Sequence, residues 1–596
     1  MAELPEVANG CDHELTKDGT VDLKGRPCFR SRGGRWKACS YIVGYEVFER
    51  MAFYGIGANL VLYLTKKLHE NTVSSANNVT DWAGTVWMTP IIGAYIADAF
   101  LGRYWTFIFS SIIYLMGMIL LTLTVSIPSL RPPKCGNEQN ECDIHASKFQ
   151  VGIFYCALYI IAIGTGGTKP NISTMGADQF DDFHPKERSQ KLSFFNWWMF
   201  SIFFGTLFAN SILVYIQDHV GFAVGYALPT FGLMFSVLVF LIGTPYYRHK
   251  LPSGSPFTKI AAVLVAAIRK SNVPLPDDPN ELHELDDKEY ARVGKSRISS
   301  TPSLRCLNKA AVKTGDGETE WKLCTVTQVE ETKQMIKMLP VLMVTFIPSV
   351  MIAQVNTLFI KQGATLERNI GPHFQIPPAS LTTFVTLFML ISLLIYDRLF
   401  VPVIRKYTKN PRGITLLQRM GIGMVLHIII MLTASLVERK RLSVAKQYGL
   451  TDKKAIIPLS IFILLPQFAL MGVADTFVDV AKLEFFYDQA PESMKSLGTS
   501  YFTTSLGVGN FLSSILLSTV AEITKRNGSK GWIQDSLNSS HLDYYYLLFA
   551  VLSGINLLFF LVVSKYYVYN TDVVHHGIEM KQSSVMLSKI VATSDS

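Results

Sequence analysis

The stretch YIVGYEVFERMAFYGIGANLVLYL, residues 41–64, is long and apolar enough to cross a bilayer, yet it carries Glu46, Glu49 and Arg50. Positions i, i+3 and i+4 lie on one face of a helix. A charge near the bilayer centre costs at least ~2.5–3.5 kcal/mol on insertion scales, and such charges commonly mark a transport path or a proton relay. We therefore expect this face to line a bundle interior or a water-filled cavity.

These three charges comprise two acids and a single base. A structural reading stays open, in which Arg50 only neutralises the carboxylates and holds helices together. The excess of acid over base favours a functional reading, because one carboxylate is left available to bind a proton.

The whole chain has the composition of a polytopic membrane protein. Of its 596 residues, 49% are hydrophobic and only 17% are charged. At ~20 residues for each crossing, the apolar segments predict twelve membrane spans. They lie near residues 41–65, 82–100, 104–127, 150–168, 194–217, 222–244, 334–360, 379–400, 414–437, 456–486, 497–520 and 542–567.

The distribution of basic residues predicts that both chain ends are cytoplasmic. Six cations precede the first span, and the positive-inside rule keeps such a segment in the cytoplasm. The net charge of +9 reflects juxtamembrane cations beside anionic lipid, so the bilayer is the implied partner and no nucleic acid is needed. One segment argues the other way, because residues 438–441 (ERKR) are basic but predicted to lie outside.

The predicted outer loops carry features of the exoplasmic side. Asn78, Asn527 and Asn538 each begin an Asn-x-Ser/Thr acceptor for N-glycosylation. Cys135 and Cys142 share one such loop, where either a disulfide or two free thiols would be compatible with the sequence.

The spans form two groups of six, which is typical of an all-α membrane protein with the major facilitator fold, whose two halves rock about a midplane site. The predicted parts are a basic cytoplasmic segment 1–40, a six-helix bundle 41–244, a cytoplasmic linker 245–333, a second six-helix bundle 334–567 and a cytoplasmic tail 568–596.

The linker is predicted to contain an amphipathic surface helix at FTKIAAVLVAAIRK, residues 257–270. Residues 271–317 are polar and are expected to lack a core of their own. Thr327 to Glu330 has the spacing of a capping box that opens the next helix. The linker contains no phosphate loop, metal-spaced Cys/His cluster or nucleophile motif, so we predict no enzyme, no metal and no cofactor.

The sequence GAYIADAFLGRYWT, residues 93–106, predicts a tight turn after the second span. Asp98, Gly102 and Arg103 at this spacing can bridge neighbouring helix ends through a charge pair that forms in one conformation and breaks in another. Asp397 and Arg398 form a looser counterpart after the eighth span, as expected of a structural repeat.

With these motifs the chain resembles the plant nitrate/peptide transporter family, the plant branch of the proton-coupled oligopeptide transporters. The resemblance runs from about residue 20 to 567 and is strongest towards members named as peptide transporters. It rests on Glu46-x-x-Glu49-Arg50, the 93–106 turn, GTGGTKPNISTMGADQF (164–180), FFNWWMF (194–200), IPPASL (376–381), GITLLQRMGIG (413–423), LPQF (465–468) and LEFFYDQAPESMKSLGTS (483–500).

The resemblance implies roles for two further charges. Family members place a Lys at the position of Lys169 that faces the cavity and pairs with the first-helix acids; the alternative is that Lys169 snorkels to the interface. An acid at the position of Asp475 faces the substrate in the family, where it is usually Glu. Protonating Glu46 or Glu49 would then free Arg50 or Lys169 to bind an anionic group, which couples proton and solute.

Other positions are less decisive. Tyr54, Gln354 and Asn356 are candidate substrate contacts. The family's peptide-contacting Asn in the fifth span is replaced by Phe203, and Ile352 stands where some nitrate-transporting relatives use His. These departures weaken both the peptide and the His-mediated nitrate assignments.

Four residues have competing interpretations. Asp479 and Lys482 are interpreted as a local ion pair rather than as substrate contacts. Thr106, in Arg103-x-x-Thr106, is either a phosphorylation site or the start of a helix. His427 is interpreted as a packed core histidine.

The sequence thus predicts a symporter of protons and a small solute, most readily di- and tripeptides. Nitrate, hormones and glycosylated defence compounds are the alternative solutes, and a nutrient sensor is an alternative of another class. A channel is disfavoured because the charges form no ring. A regulatory kinase is a further predicted partner, and the plasma membrane, with the vacuolar membrane as alternative, is the predicted location.

Overall fold

The computed structural model describes residues 15–16, 18–31, 33–131, 146–181, 183–252, 254–276, 278, 281–286, 289–290, 297–315, 319, 321–408, 412–450, 452, 455–526 and 531–569. Its helices are α1 (Arg35–Gly57), α2 (Leu60–Lys66), α3 (Thr72–Ile96), α4 (Gly102–Ser126), α5 (Lys148–Ala177), α6 (Pro185–Phe208), α7 (Val214–His219), α8 (Phe222–Ile242), α9 (Pro256–Arg269), α10 (Val326–Lys337), α11 (Leu339–Val344), α12 (Phe346–Val355), α13 (Leu358–Gly363), α14 (Thr382–Ile395), α15 (Val401–Thr408), α16 (Leu416–Gln447), α17 (Leu465–Gln489), α18 (Lys495–Lys525) and α19 (Leu542–Tyr566).

Four short strands complete the ordered elements. They are β1 (Leu366–Glu367), β2 (Asn369–Ile370), β3 (Phe374–Gln375) and β4 (Ile457–Ser460). Strand β1 pairs in parallel with β4, and β2 pairs antiparallel with β3. The predicted tenth span therefore began too early, because Ile457–Ser460 is extended and α17 begins only at Leu465.

Nine helical segments of the described chain are long and apolar enough to cross a membrane, or ten if a pair bent by 47° (Val326–Val344 and Phe346–Gly363) is one span. The segment Thr72–Ser126 has 55 residues, which at ~20 residues for each crossing suffices for two spans. The charged helix α1, with α2, covers the predicted first span. Each of the twelve predicted spans overlaps described helix, and the chain is an all-α membrane protein, as predicted.

The helices are organised around separate cores. One core belongs mainly to α1–α8 and includes Tyr45, Tyr114 and Phe154. Two further clusters lie in the second half, and Phe468 and Phe485 belong to one each. The halves meet along α3 and α18, which pack closely.

The linker departs from two predictions. Helix α9 forms where expected, but its buried face packs with Leu307, Ala310 and Cys324 into a small core that includes part of the segment expected to have none. The capping box is formed by Thr325 and Gln328 instead of Thr327 and Glu330. The register moved because Thr327 donates its hydroxyl to Glu284 and Glu330 is paired with Lys333.

The face of the bundle that carries the linker, called here the linker face, also holds the N-terminal segment. The backbones of Val21 and His249 exchange two hydrogen bonds of 2.8 Å. Arg30 pairs with Asp181 at 2.8 Å, and the fully buried Arg248 pairs with Glu187 at 2.8 Å. Part of the positive charge near this face is therefore neutralised by ion pairs.

On the other side, called the opposite face, the structure explains the basic segment that argued against the predicted topology. Arg441 and Glu438 are both completely buried and form an ion pair of 2.6 Å. Arg441 also donates to the Asn538 side chain and the Leu537 carbonyl. Residues 438–441 lie within α16 and not in a loop, and the charge of Arg441 is balanced by Glu438. Counting the whole segment as a basic loop under the positive-inside rule therefore overstates its basicity.

Gly102 is predicted to be required by the turn between α3 and α4, where its φ of +75° and ψ of 162° lie in a region that L side chains rarely adopt. Gly102→Ala is expected to lower stability by about 1–3 kcal/mol, measured by thermal unfolding of the purified protein. Gly152, in α5, has open space around it. Gly152→Ala should therefore keep or raise the melting temperature, and equal melting temperatures for the two variants would contradict the turn assignment.

Candidate functional site

The three charges of the first span form one buried cluster on α1. Glu46 is fully buried, and Glu49 and Arg50 are 1% and 8% exposed. The Arg50 Nε atom lies 2.6 Å from a Glu46 oxygen and 3.1 Å from a Glu49 oxygen. One oxygen of Glu46 and both oxygens of Glu49 have no hydrogen-bond partner among the described residues. A single guanidinium therefore faces two carboxylates, which leaves acceptor capacity for a proton.

Lys169 lies on α5 and is held away from ionic partners by aromatic rings. Its Nζ atom is 3.6 Å from the ring centroid of Phe53 and 4.7 Å from that of Trp87. Within the described chain Nζ is buried without a hydrogen-bond partner. Cation–π contacts of this kind stabilise a desolvated ammonium by about 2 kcal/mol. The resemblance implied a pair with the first-helix acids, whereas this conformation places the ammonium over Phe53 and Trp87.

The remaining candidate substrate contacts lie on α1, on α12 and at its end, and on α17. Tyr54 is half-buried on α1. Gln354 is buried and donates to Val350 and Ser513, whereas Asn356 is exposed. The Asp475 Oδ1 atom is buried without a hydrogen-bond partner within the described part of the chain.

The local ion pair expected on α17 is present. Lys482 is completely buried, and its Nζ atom lies 2.8 Å from Asp479. Asp475 is therefore left without the lysine as a direct partner at ion-pair distance, and its carboxylate stays the candidate group of this helix for a cationic ligand.

At the linker face, the 93–106 turn forms a charge cluster wider than the sequence predicted. Arg103 pairs with Asp178 and lies 3.9 Å from Asp98, while Lys250 lies 3.3 Å from the other Asp178 oxygen. Arg103 and Lys250 supply positive charge to the cluster, and burial lowers the pKa of His249 nearby. Asp178 was missed although it lies in the quoted 164–180 motif, because nothing in its local spacing indicates the turn it meets.

The second-half counterpart is weaker. Asp397 and Arg398 lie 3.8 Å apart with side chains 73% and 85% exposed. Both turns nevertheless contain a five-residue π-helical segment, Ala97–Leu101 and Tyr396–Phe400. The shared geometry supports a structural repeat, although only the first turn forms a network.

At the opposite face, polar contacts join the two halves. Arg368, just before β2, pairs with Asp218 of α7 at 3.0 Å. Further cross-half hydrogen bonds run from Lys361 to Thr65 and Ser75, from the Thr72 amide to Asp535, and from Asn77 to Ser518. These contacts hold the halves together at this face in this conformation.

Comparison with known proteins identifies the family. A sequence profile described as "PTR2: POT family" matches residues 104–533. The chain is 62% identical over 575 residues to "Protein NRT1/ PTR FAMILY 5.2" of Arabidopsis thaliana, covering 96% of this chain and 98% of that protein. It belongs to the POT family. "Protein NRT1/ PTR FAMILY 8.1" of the same plant is 45% identical, covering 94% and 98% of the two chains.

Solved structures agree on the fold of this POT family member. One, described as an "auto inhibited POT family peptide transporter", has a TM-score of 0.66 at 20% identity and covers 89% of this chain and 98% of that one. The POT family transporter PepTSo has a TM-score of 0.65 at 20% identity, with 89% and 97% coverage. At this identity the likeness concerns the fold, which is that of the major facilitator transporters.

The predicted modification sites lie in mixed surroundings. Thr106 is 4% exposed in α4 of this POT protein, and Asn538 is 4% exposed with its amide donating to Ala455 and Asp452. Asn78 is half-buried and contacts Glu70 and Tyr155. Phosphorylation of Thr106 would therefore require local opening of α4, and a glycan on Asn538 would displace its amide from these hydrogen bonds. Asn527, Cys135 and Cys142 lie outside the described residues.

His427 is buried as expected of a core histidine, with 1% of its surface exposed. Neither ring nitrogen has a hydrogen-bond partner among the described residues. The side chain therefore packs within the second half without adding an ionic contact to the site.

The two bases of the site should differ in their effect on stability. Arg50→Met leaves two buried carboxylates without their partner and is expected to destabilise the protein by about 3–5 kcal/mol. Lys169→Met removes an ammonium without an ionic partner and replaces it with an unbranched apolar chain that packs on the same rings. We expect Lys169→Met to unfold at or above the wild-type temperature. An equal loss in both variants would show that Lys169 is already paired with the carboxylates.

Proposed function

We propose that this chain is a proton-coupled symporter that moves small organic solutes, di- and tripeptides first, across a plant membrane by alternating access. The proposal rests on how the charged groups are arranged. Arg50 is shared between Glu46 and Glu49, whereas the Lys169 ammonium lies over aromatic rings. We assign it no enzymatic activity. The linker face is taken as cytoplasmic and the plasma membrane as the location.

The coupling follows from competition for the two bases. A proton on Glu46 or Glu49 removes one carboxylate from Arg50, which can then bind an anionic group of the solute. Lys169 provides a second cation, which can bind an anion without first giving up a hydrogen-bond partner among the described residues. A peptide carboxylate would bind these bases and its amino terminus would bind Asp475 across the cavity. Solute and proton then favour each other's binding.

Alternating access requires the closed face to open. The bundles 41–244 and 334–567 are proposed as the rocking bodies, with the Arg368–Asp218 pair closing the opposite face and the Arg103 cluster reorganising at the linker face. Rocking about a midplane site is the general behaviour of this fold. A kinase acting at Thr106 would need the start of α4 to open, because the hydroxyl is buried.

Glu49→Gln should abolish the stimulation of uptake by acid, because the amide cannot bind the proton. The measurement is uptake of labelled dialanine, then nitrate, by oocytes at mildly acidic and neutral pH. Glu522→Gln is the matched control, since Glu522 is 76% exposed. Nitrate uptake without dialanine uptake would replace the solute and keep the mechanism. If acid-stimulated uptake persists in Glu49→Gln, proton coupling at this residue is wrong.

Locking the opposite face should stop transport. Asn77 and Ser518 belong to different halves and their side chains lie 2.7 Å apart. In Asn77→Cys/Ser518→Cys, a short, cleavable bifunctional thiol reagent is expected to reduce uptake to background, and cleavage should restore it. Each single-cysteine variant, treated alike, should keep its activity. Full transport by the cross-linked double variant would rule out opening at this face.

A further inference from the structure

The C-terminal half holds a buried ammonium on α17, the helix that also carries the candidate substrate contact Asp475. Lys482 of α17 is completely inaccessible, with Asp479 as its counter-charge at 2.8 Å. Its Nζ atom also lies 3.2 Å from the Ser349 hydroxyl on α12 and 3.3 Å from the Ser505 hydroxyl on α18. These four residues are called the polar hub. The Lys482 ammonium thus contacts acceptors on α17, α12 and α18, whereas an ion pair within α17 would need only Asp479.

The polar hub lies at the break in the seventh predicted span. Helix α11 ends at Val344 and α12 begins at Phe346, and the segments containing them meet at 47°. At the break, the Thr345 carbonyl lies 3.2 Å from both the Ser349 and the Ser505 hydroxyls. The Thr345 hydroxyl lies 3.0 Å from that of Ser505. The polar groups of the break are therefore satisfied by the hydroxyls that Lys482 contacts.

The close approach of α18 to α12 depends on Gly509. A Cβ atom at this position would lie 2.3 Å from the Ser349 Cβ, a distance that non-bonded atoms do not adopt. The glycine lets the Ser349 and Ser505 hydroxyls meet at 3.0 Å. The close backbone packing and the side-chain hydrogen bonds therefore both act at the break between α11 and α12.

We propose that Lys482 is a positioning residue of the transport cycle: with Asp479 as its counter-charge, it fixes the bend of the seventh span through Ser349 and Ser505. Pro348 has no amide hydrogen to donate to the Val344 carbonyl, which explains why the helix breaks here, and the hub restrains the angle at which the two segments meet. The hub thereby sets the geometry with which the C-terminal half opens. The role in transport rests on the function proposed above, whereas the restraint on the bend does not.

The surroundings of the polar hub fit a positional role. Asp475, one turn before Asp479 on α17, and His427 of α16 both lie close enough to interact electrostatically with Asp479 and Lys482. Helices α12 and α18 present hydroxyls to the ammonium, and the Phe502 ring of α18 lies 5.1 Å from it. The ammonium therefore depends on Asp479 for its charge and on the hydroxyls for its orientation.

The test neutralises the pair without leaving a buried unpaired charge, in Asp479→Asn/Lys482→Met. The matched control is Glu330→Gln/Lys333→Met on α10, a buried pair at 2.6 Å with the same i, i+3 spacing but away from the break. Hydrogen–deuterium exchange in lipid nanodiscs, without solute, should be faster across residues 339–355 in the first variant only. Unchanged exchange there would overturn the restraint on the bend.

Uptake kinetics supply the second measurement. We expect Asp479→Asn/Lys482→Met to keep the KM for the transported solute while its maximal rate falls about tenfold, since positioning affects turnover more than binding. The control pair should leave both values unchanged. If Asp479→Asn/Lys482→Met keeps the wild-type maximal rate, the pair only neutralises charge and has no positioning role. If the wild type moves neither dialanine nor nitrate, the proposed substrates fail, while the exchange result still decides the restraint.

Discussion

A charge inside an apolar helix must be balanced, because an unpaired ion in a low-dielectric interior costs several kcal/mol. Most buried charges of this chain obey the rule locally: Arg441 pairs with Glu438, Arg248 with Glu187 and Lys482 with Asp479. The first helix does not, since Glu46 and Glu49 share Arg50. Two acids that share one base leave a carboxylate whose charge can change by binding a proton, and Asp475, Asp479 and Lys482 on α17 have the same ratio of acids to base.

The positive and negative charges balance only when Lys169 of α5 is counted together with the charges of α1. Glu46 and Glu49 carry two negative charges, and Arg50 and Lys169 carry two positive ones, yet the geometry leaves one negative charge in excess on α1 and one positive charge over the rings of Phe53 and Trp87. A proton on a carboxylate, an anion on Lys169, or movement of Lys169 towards the acids would each relieve this separation. Because these events compete or reinforce one another, charge neutralisation can couple proton binding to solute binding.

Much of this could be read from the sequence, for a physical reason. The spans, the Gly102 turn and the charges of the first helix are set by local hydropathy and local backbone preference. Asp178, Asp218 and Arg368 were missed as ion-pairing residues because their partners are remote in the chain. The linker core was missed for the same reason: α9 supplies small apolar residues that pack only when the segment near Leu307 and α10 are folded beside it.

The unequal strengths of the ion pairs suit a carrier. Breaking a completely buried pair such as Arg441–Glu438 costs about 3–5 kcal/mol, so it keeps its half rigid. The Arg368–Asp218 pair between the halves is less buried, with side chains 14% and 19% exposed, so its ions lose less hydration on pairing than those of a completely buried pair. Binding that differs by a few kcal/mol between two conformations can reverse their populations. Ion pairs that are harder to break within a half than between the halves would let bound protons and solute favour one arrangement of the halves without unfolding either half.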